Sequence, residues 1–92
     1  MVLNTVILAI HLLGALPPLA QSAREIESLM RDSQIQILLG SGEGIEEVIR
    51  AESGYVILTK SRMLRVDIEY TEQARPGPLN YKFHFHKPVE LR

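Results

Sequence analysis

Cysteine and tryptophan are both missing from this chain of 92 residues. Without cysteine there is no disulfide scaffold, no thiolate-held zinc or iron–sulfur centre, and no thiol nucleophile. Charge of one sign is not in excess either, with ten Lys and Arg against eleven Asp and Glu. A nucleic-acid binder should gather a basic surplus on one face, so near-neutrality argues against that class. The length allows one domain at most.

The opening stretch lacks charge altogether. From Met1 to Ala23 there is no Lys, Arg, Asp or Glu, and every charged residue lies at or after Arg24. Val6 to Leu16 is an apolar run of eleven residues, within the span of a secretory signal peptide. Pro17 and Pro18 should break a helix there. Ala20 and Ser22 set small residues at −3 and −1 of a cut before Ala23. Residues 1–22 therefore read as a signal peptide, and residues 23–92 as a single small domain, periplasmic or secreted. A retained membrane anchor is the alternative, although a spanning helix needs about 20 apolar residues and the prolines come sooner. A buried core helix is a third reading, and would require cover on every side.

Beyond the leader, Ser22–Asp32 carries the marks of a short helix. Ser22 and Glu25 have capping-box spacing. Ile26, Leu29 and Met30 form one stripe, and Glu27 and Arg31 stand at i, i+4. Gln34–Leu39 alternates Gln with Ile or Leu and reads as a strand, with continuation of the helix as the other option. The run Gly40-Ser41-Gly42-Glu43-Gly44 lacks the Gly-Lys-Ser/Thr ending of a phosphate loop and reads as a flexible turn.

From Ile45 onward the pattern is that of consecutive antiparallel strands. Ile45–Ala51 and Tyr55–Lys60 flank Glu52-Ser53-Gly54, where a positive φ at Gly54 would suit a tight turn. Met63–Thr71 puts Leu64, Val66, Ile68 and Tyr70 on one face and Arg65, Asp67 and Glu69 on the other. Leu79–His86 turns Leu79, Tyr81, Phe83 and Phe85 inward, and Asn80, Lys82, His84 and His86 outward. Pro88 cannot donate to a ladder and should end that strand.

A register slip of one residue would send every apolar side chain to the wrong face. Pairing Tyr70 with Tyr81, Ile68 with Phe83 and Val66 with Phe85 keeps the apolar faces together. It also sets Glu69 opposite Lys82, Asp67 opposite His84 and Arg65 opposite His86. The expected fold is α+β: a short N-terminal helix packed on a four- or five-stranded antiparallel meander, preceded by the hydrophobic leader. With about 60% of its unfolded surface buried and no disulfide, so small a domain should be only modestly stable.

His84 and His86 share a strand face with Asp67 across from them, so the three could ligate zinc or copper. The plainer reading is a solvated face, and the flanking Lys82 and Lys87 oppose a cation there. No serine sits in a nucleophile elbow. The exposed pair Asp67 and Glu69 lacks the burial that splits two carboxylates into acid and base. The sequence thus points to a non-catalytic protein-binding module without a cofactor. Its contact is expected on an open sheet face bearing Arg65, Asp67, Glu69, Lys82, His84 and His86, or on an edge strand. Its partner is another protein or a second copy. The alternatives are a metal-sensing domain through His84, His86 and Asp67, and a membrane-tethered subunit that keeps its leader.

Overall fold

The computed structural model describes residues 17–71 and 79–91. The apolar run 6–16 and the turn expected over 72–78 lie outside the described residues. Among the described residues two helices, α1 (Pro18–Arg31) and α2 (Ser33–Leu39), precede five strands. These are β1 (Glu47–Ala51), β2 (Gly54–Leu58), β3 (Arg62–Thr71), β4 (Asn80–Phe85) and β5 (Val89–Glu90). All pairs are antiparallel, in the order β1-β2-β3-β4, with β5 also on β3. The class is α+β with an antiparallel sheet, and both helices pack on one face of it.

Helix α1 starts four residues earlier than its pattern suggested. Proline at the first helical position loses nothing, because that N–H has no intrahelical partner, so Pro18 opens the helix instead of breaking it. Ser22 then falls inside the helix, and no capping box forms. Leu29 is fully buried, and Ile26 and Met30 pack beside it. Glu27 and Arg31 do pair, at 3.1 Å.

The segment expected as a strand, Gln34–Leu39, lies within α2. Six residues fit either period, and here the caps decide. The Asp32 carboxylate accepts the Gln34 N–H at 2.9 Å. At the far end, Arg62 donates to the carbonyls of Leu38 and Leu39 at 3.3 and 3.2 Å, groups that a helix end leaves without partners. Ile35 and Leu39, four apart, enter the core, and Ile37 is turned out at 68% exposure.

The sheet follows the sequence closely. Tyr70 pairs with Tyr81, Ile68 with Phe83 and Val66 with Phe85, the register read from side-chain pattern. The core is Leu29, Ile35, Leu39, Tyr55, Ile57, Leu64 and Val66, with Phe83 and Phe85 packed against it. Gly54 serves close approach rather than a positive φ, which among the described glycines only Gly40 has. A Cβ at Gly54 would come within 1.9 Å of the Val66 carbonyl oxygen.

Strand β4 ends at Phe85, ahead of Pro88 as expected, and the chain runs on past that proline. Between the pairs Val66–Phe85 and Met63–Val89, two residues of β3 face three of the opposing chain. That is a β-bulge, and Pro88 sits inside it, where no ladder N–H is needed. The chain then rejoins β3 as β5.

Candidate binding surface

Strand alternation sorts the sheet into two faces of different character. Toward the helices point Val48 and Arg50 of β1, Tyr55 and Ile57 of β2, and Leu64, Val66, Ile68 and Tyr70 of β3. The other face has no helix over it among the described residues. Its side chains fall into rows set by the registers. Glu47, Leu58, Met63 and Val89 form the first row, and Ile49, Val56 and Arg65 the second. Asp67 and His84 follow in the third, and Glu69 and Lys82 in the fourth.

This face is therefore divided. One end is apolar: Ile49 and Val89 are 44% and 49% exposed, and Val56, Leu58 and Met63 half-buried between them. The other end gathers all six residues expected at a binding surface: Arg65, Asp67, Glu69, Lys82, His84 and His86. The apolar end is not among the residues that strand alternation alone singles out. Its trace in the sequence is the unbroken run Tyr55-Val56-Ile57-Leu58, apolar on both faces where a half-solvated strand would alternate.

At the charged end the side chains reach diagonally. Asp67 pairs with His84 along the backbone, yet His86 Nε2 lies 2.6 Å from Asp67 Oδ2 and His84 Nε2 lies 2.8 Å from Glu69 Oε1. Glu69 takes the imidazole rather than the ammonium of Lys82, its register partner. The Ser53 hydroxyl donates to Asp67 Oδ1 at 2.7 Å, and Arg65 Nε lies 3.4 Å from the same oxygen. Hydrogen bonds from His86 and Ser53, with the charges of His86 and Arg65 behind them, hold the Asp67 carboxyl down at about 2. Each imidazole thus has its own carboxylate. Among the described residues no three His, Asp or Glu side chains converge on a point that could hold a metal ion.

A second polar constellation lies under the helix, and alternation gave no hint of it. Glu25 is only 1% exposed. Its Oε1 accepts the Tyr55 hydroxyl at 2.9 Å and stands 3.5 Å from Arg50 Nη1. Its Oε2 accepts the Tyr70 hydroxyl at 2.6 Å and the Gln21 amide at 2.9 Å. Four donors on a helix and three strands converge on one carboxylate. Burial, and then the hydrogen bond to Glu25, push both phenols above their ordinary range. With both oxygens already engaged by protein donors, Glu25 serves as a tie between α1 and the sheet rather than as a reacting group. Ser28 and Tyr81 extend the seam, their hydroxyls in contact, and Arg24 donates to the Leu79 carbonyl at 2.7 Å.

A shallow cleft of about 270 Å³ lies between α2 and the glycine loop, walled by Met30, Ile35, Leu39 and Ile45. Its one carboxylate, Glu43, accepts the Ser61 backbone N–H at 3.1 Å and the Ser61 hydroxyl at 2.8 Å. That bond fastens the loop to the β2–β3 turn, and the cleft falls below the range of about 300–1,000 Å³ usual for small-molecule sites.

Comparison with protein families, with curated proteins and with solved structures yields no match.

Proposed function

We propose that this chain is a small, non-catalytic protein-binding module whose contact surface is the open face of its sheet. The observation that carries the reading is the division of that face. An apolar patch of Ile49, Val56, Leu58, Met63 and Val89 lies beside a charged band from Arg65 to His86. Protein interfaces combine an apolar centre with a polar rim in this way, and an exposed apolar cluster rimmed by polar groups marks an interaction site.

Immobilised full-length protein is the direct test. A specific partner retained from an extract of the source cell should be lost when Leu58→Glu places a charge in the apolar patch. The variant's unfolding transition should match that of the unaltered protein. Retention unchanged by Leu58→Glu, or by Met63→Glu, would remove the open face from consideration.

Export belongs to the same proposal: an uncharged apolar run followed by small residues fits passage to the periplasm or beyond. Among the described residues no helix is long and apolar enough to cross a membrane. A cut before Ala23 would take Gln21, which is bound to Glu25, out of the cluster beneath α1. Mass spectrometry of the cellular protein should find a mature start near Ala23, and a start at Met1 would contradict export.

A further inference from the structure

Gly40, at a φ of 77°, turns the chain out of α2. Glu43 ties the returning loop to Ser61, so loop and helix stand apart and the cleft of about 270 Å³ opens between them. Its walls are aliphatic. Ile35 and Leu39 belong to the core, Met30 is half-buried, and Ile45 is 42% exposed.

The polar part of the lining is one-sided in what it offers. Glu43, Ser41 and Gln36 supply a carboxylate, a hydroxyl and an amide, and no Lys, Arg or His lines the cleft. Glu43 is half-buried, and among the described residues no Lys, Arg or His forms an ion pair with it. Hydrogen bonds from the Ser61 hydroxyl and the Thr59 side chain hold its carboxyl below the ordinary value, so it is ionised at neutral pH. A carboxylate has about four acceptor sites. Ser61 fills two of them, both on Oε1. The charge of Arg62 also favours the ionised form. Its guanidinium, however, is already engaged by the Leu38 and Leu39 carbonyls and by Glu90 at 3.3 Å.

We propose that this cleft receives a lysine side chain of a partner protein. The fit is chemical at both ends. Lysine lays its aliphatic stem along apolar surface and keeps its ammonium at a polar rim. Here the stem lies along Met30, Ile35, Leu39 and Ile45, and the ammonium meets Glu43. Its three donors match three kinds of acceptor, the Glu43 carboxylate, the Ser41 hydroxyl and the Gln36 amide oxygen. Arginine suits the site less, because its planar fork needs a carboxylate with both oxygens open, and Ser61 occupies Oε1. The cleft is too small for the usual free ligand, so its occupant is a side chain delivered by a larger contact. Its wall is α2, which covers the side of the sheet away from the open face. The proposal therefore stands apart from the function proposed above.

Titration of the full-length protein with a capped lysine, Nα-acetyl-lysine methylamide, followed by backbone amide NMR shifts, is the test. Saturable shifts at Ser41, Glu43 and Ile45 are expected. Capped norleucine, which keeps the stem and loses the ammonium, should bind about fivefold more weakly. Capped glutamate should leave those amides unmoved. Glu43→Gln keeps an oxygen that can accept from Ser61, and should erase the preference for lysine over norleucine. Should that variant disturb the loop, as a moved Ser61 amide signal would show, the three ligands on the unaltered protein decide alone. No saturable shift from lysine, equal binding of norleucine, or a glutamate response at the same amides would each overturn the proposal. None of these outcomes bears on Leu58→Glu, since the cleft and the open face share no residue.

Discussion

At Glu25 a single carboxylate decides how α1 sits. It is the meeting point of Tyr55, Tyr70, Gln21 and Arg50, donors that come from three strands and its own helix. Replacing Glu25 with Ala leaves these donors without their acceptor, and two of them, Gln21 and Tyr55, are buried from water. The expected loss in urea-induced unfolding is about 3 kcal/mol, the upper range for hydrogen bonds to a charged group. A loss below about 1 kcal/mol would show that α1 is held by its apolar stripe alone. The phenols give a second readout with a definite sign. Their pKa values are raised in the folded state, so their contribution is intact below the unfolded value near 10 and is lost as pH rises beyond it. Tyr55→Phe with Tyr70→Phe should flatten that alkaline decline. Asp67 runs the other way. With its pKa lowered from 3.8 to about 2, its contribution is present above pH 4 and disappears as pH falls toward 2. Asp67→Asn should remove that part of the acid slope, measured by thermal unfolding between pH 2 and 5.

Among elements, the β2–β3 contact has the least room for change. Gly54 is buried against the Val66 carbonyl, and a methyl group there must push backbone from backbone. Gly54→Ala should cost about 3 kcal/mol, at the high end for overpacking. Gly42→Ala, with nothing within 4 Å of its Cβ, should stay within about 0.5 kcal/mol of the parent. Equal effects from the two substitutions in the same unfolding assay would contradict the packing described. The β3–β4 register was legible beforehand, because alternation and charge pattern chose the same pairing independently. The α2 segment was not. Gln34-Ile35-Gln36-Ile37-Leu38-Leu39 satisfies a period of two as well as one of 3.6, and what settles it is tertiary: an arginine 23 residues away caps its last carbonyls. Pro17 and Pro18 misled for a related reason, since the same residue type that breaks a helix interior opens a helix at its first position. Glu25 was read as half of a capping box because, once the start moves to Pro18, its real partners lie 30 and 45 residues on, beyond any local pattern.

For the whole molecule, the central fact is asymmetry. One face of the sheet is closed by helices that Glu25 and the apolar core hold down. The other presents an apolar patch beside paired charges. The charged half was visible in the alternation of β3 and β4, and the apolar half only in a run that failed to alternate. A domain that uses its free face for a partner should bring that partner against Met63 and not against the far side of α2, where Ile37 is exposed alone. Photo-cross-linking in the producing cell tests this most directly, with a photoreactive residue placed at Met63 in one strain and at Ile37 in another. A discrete adduct from position 63 and none from position 37 is the predicted result. Adducts from position 37 alone, or none from position 63 at a level where the protein is folded and abundant, would contradict it.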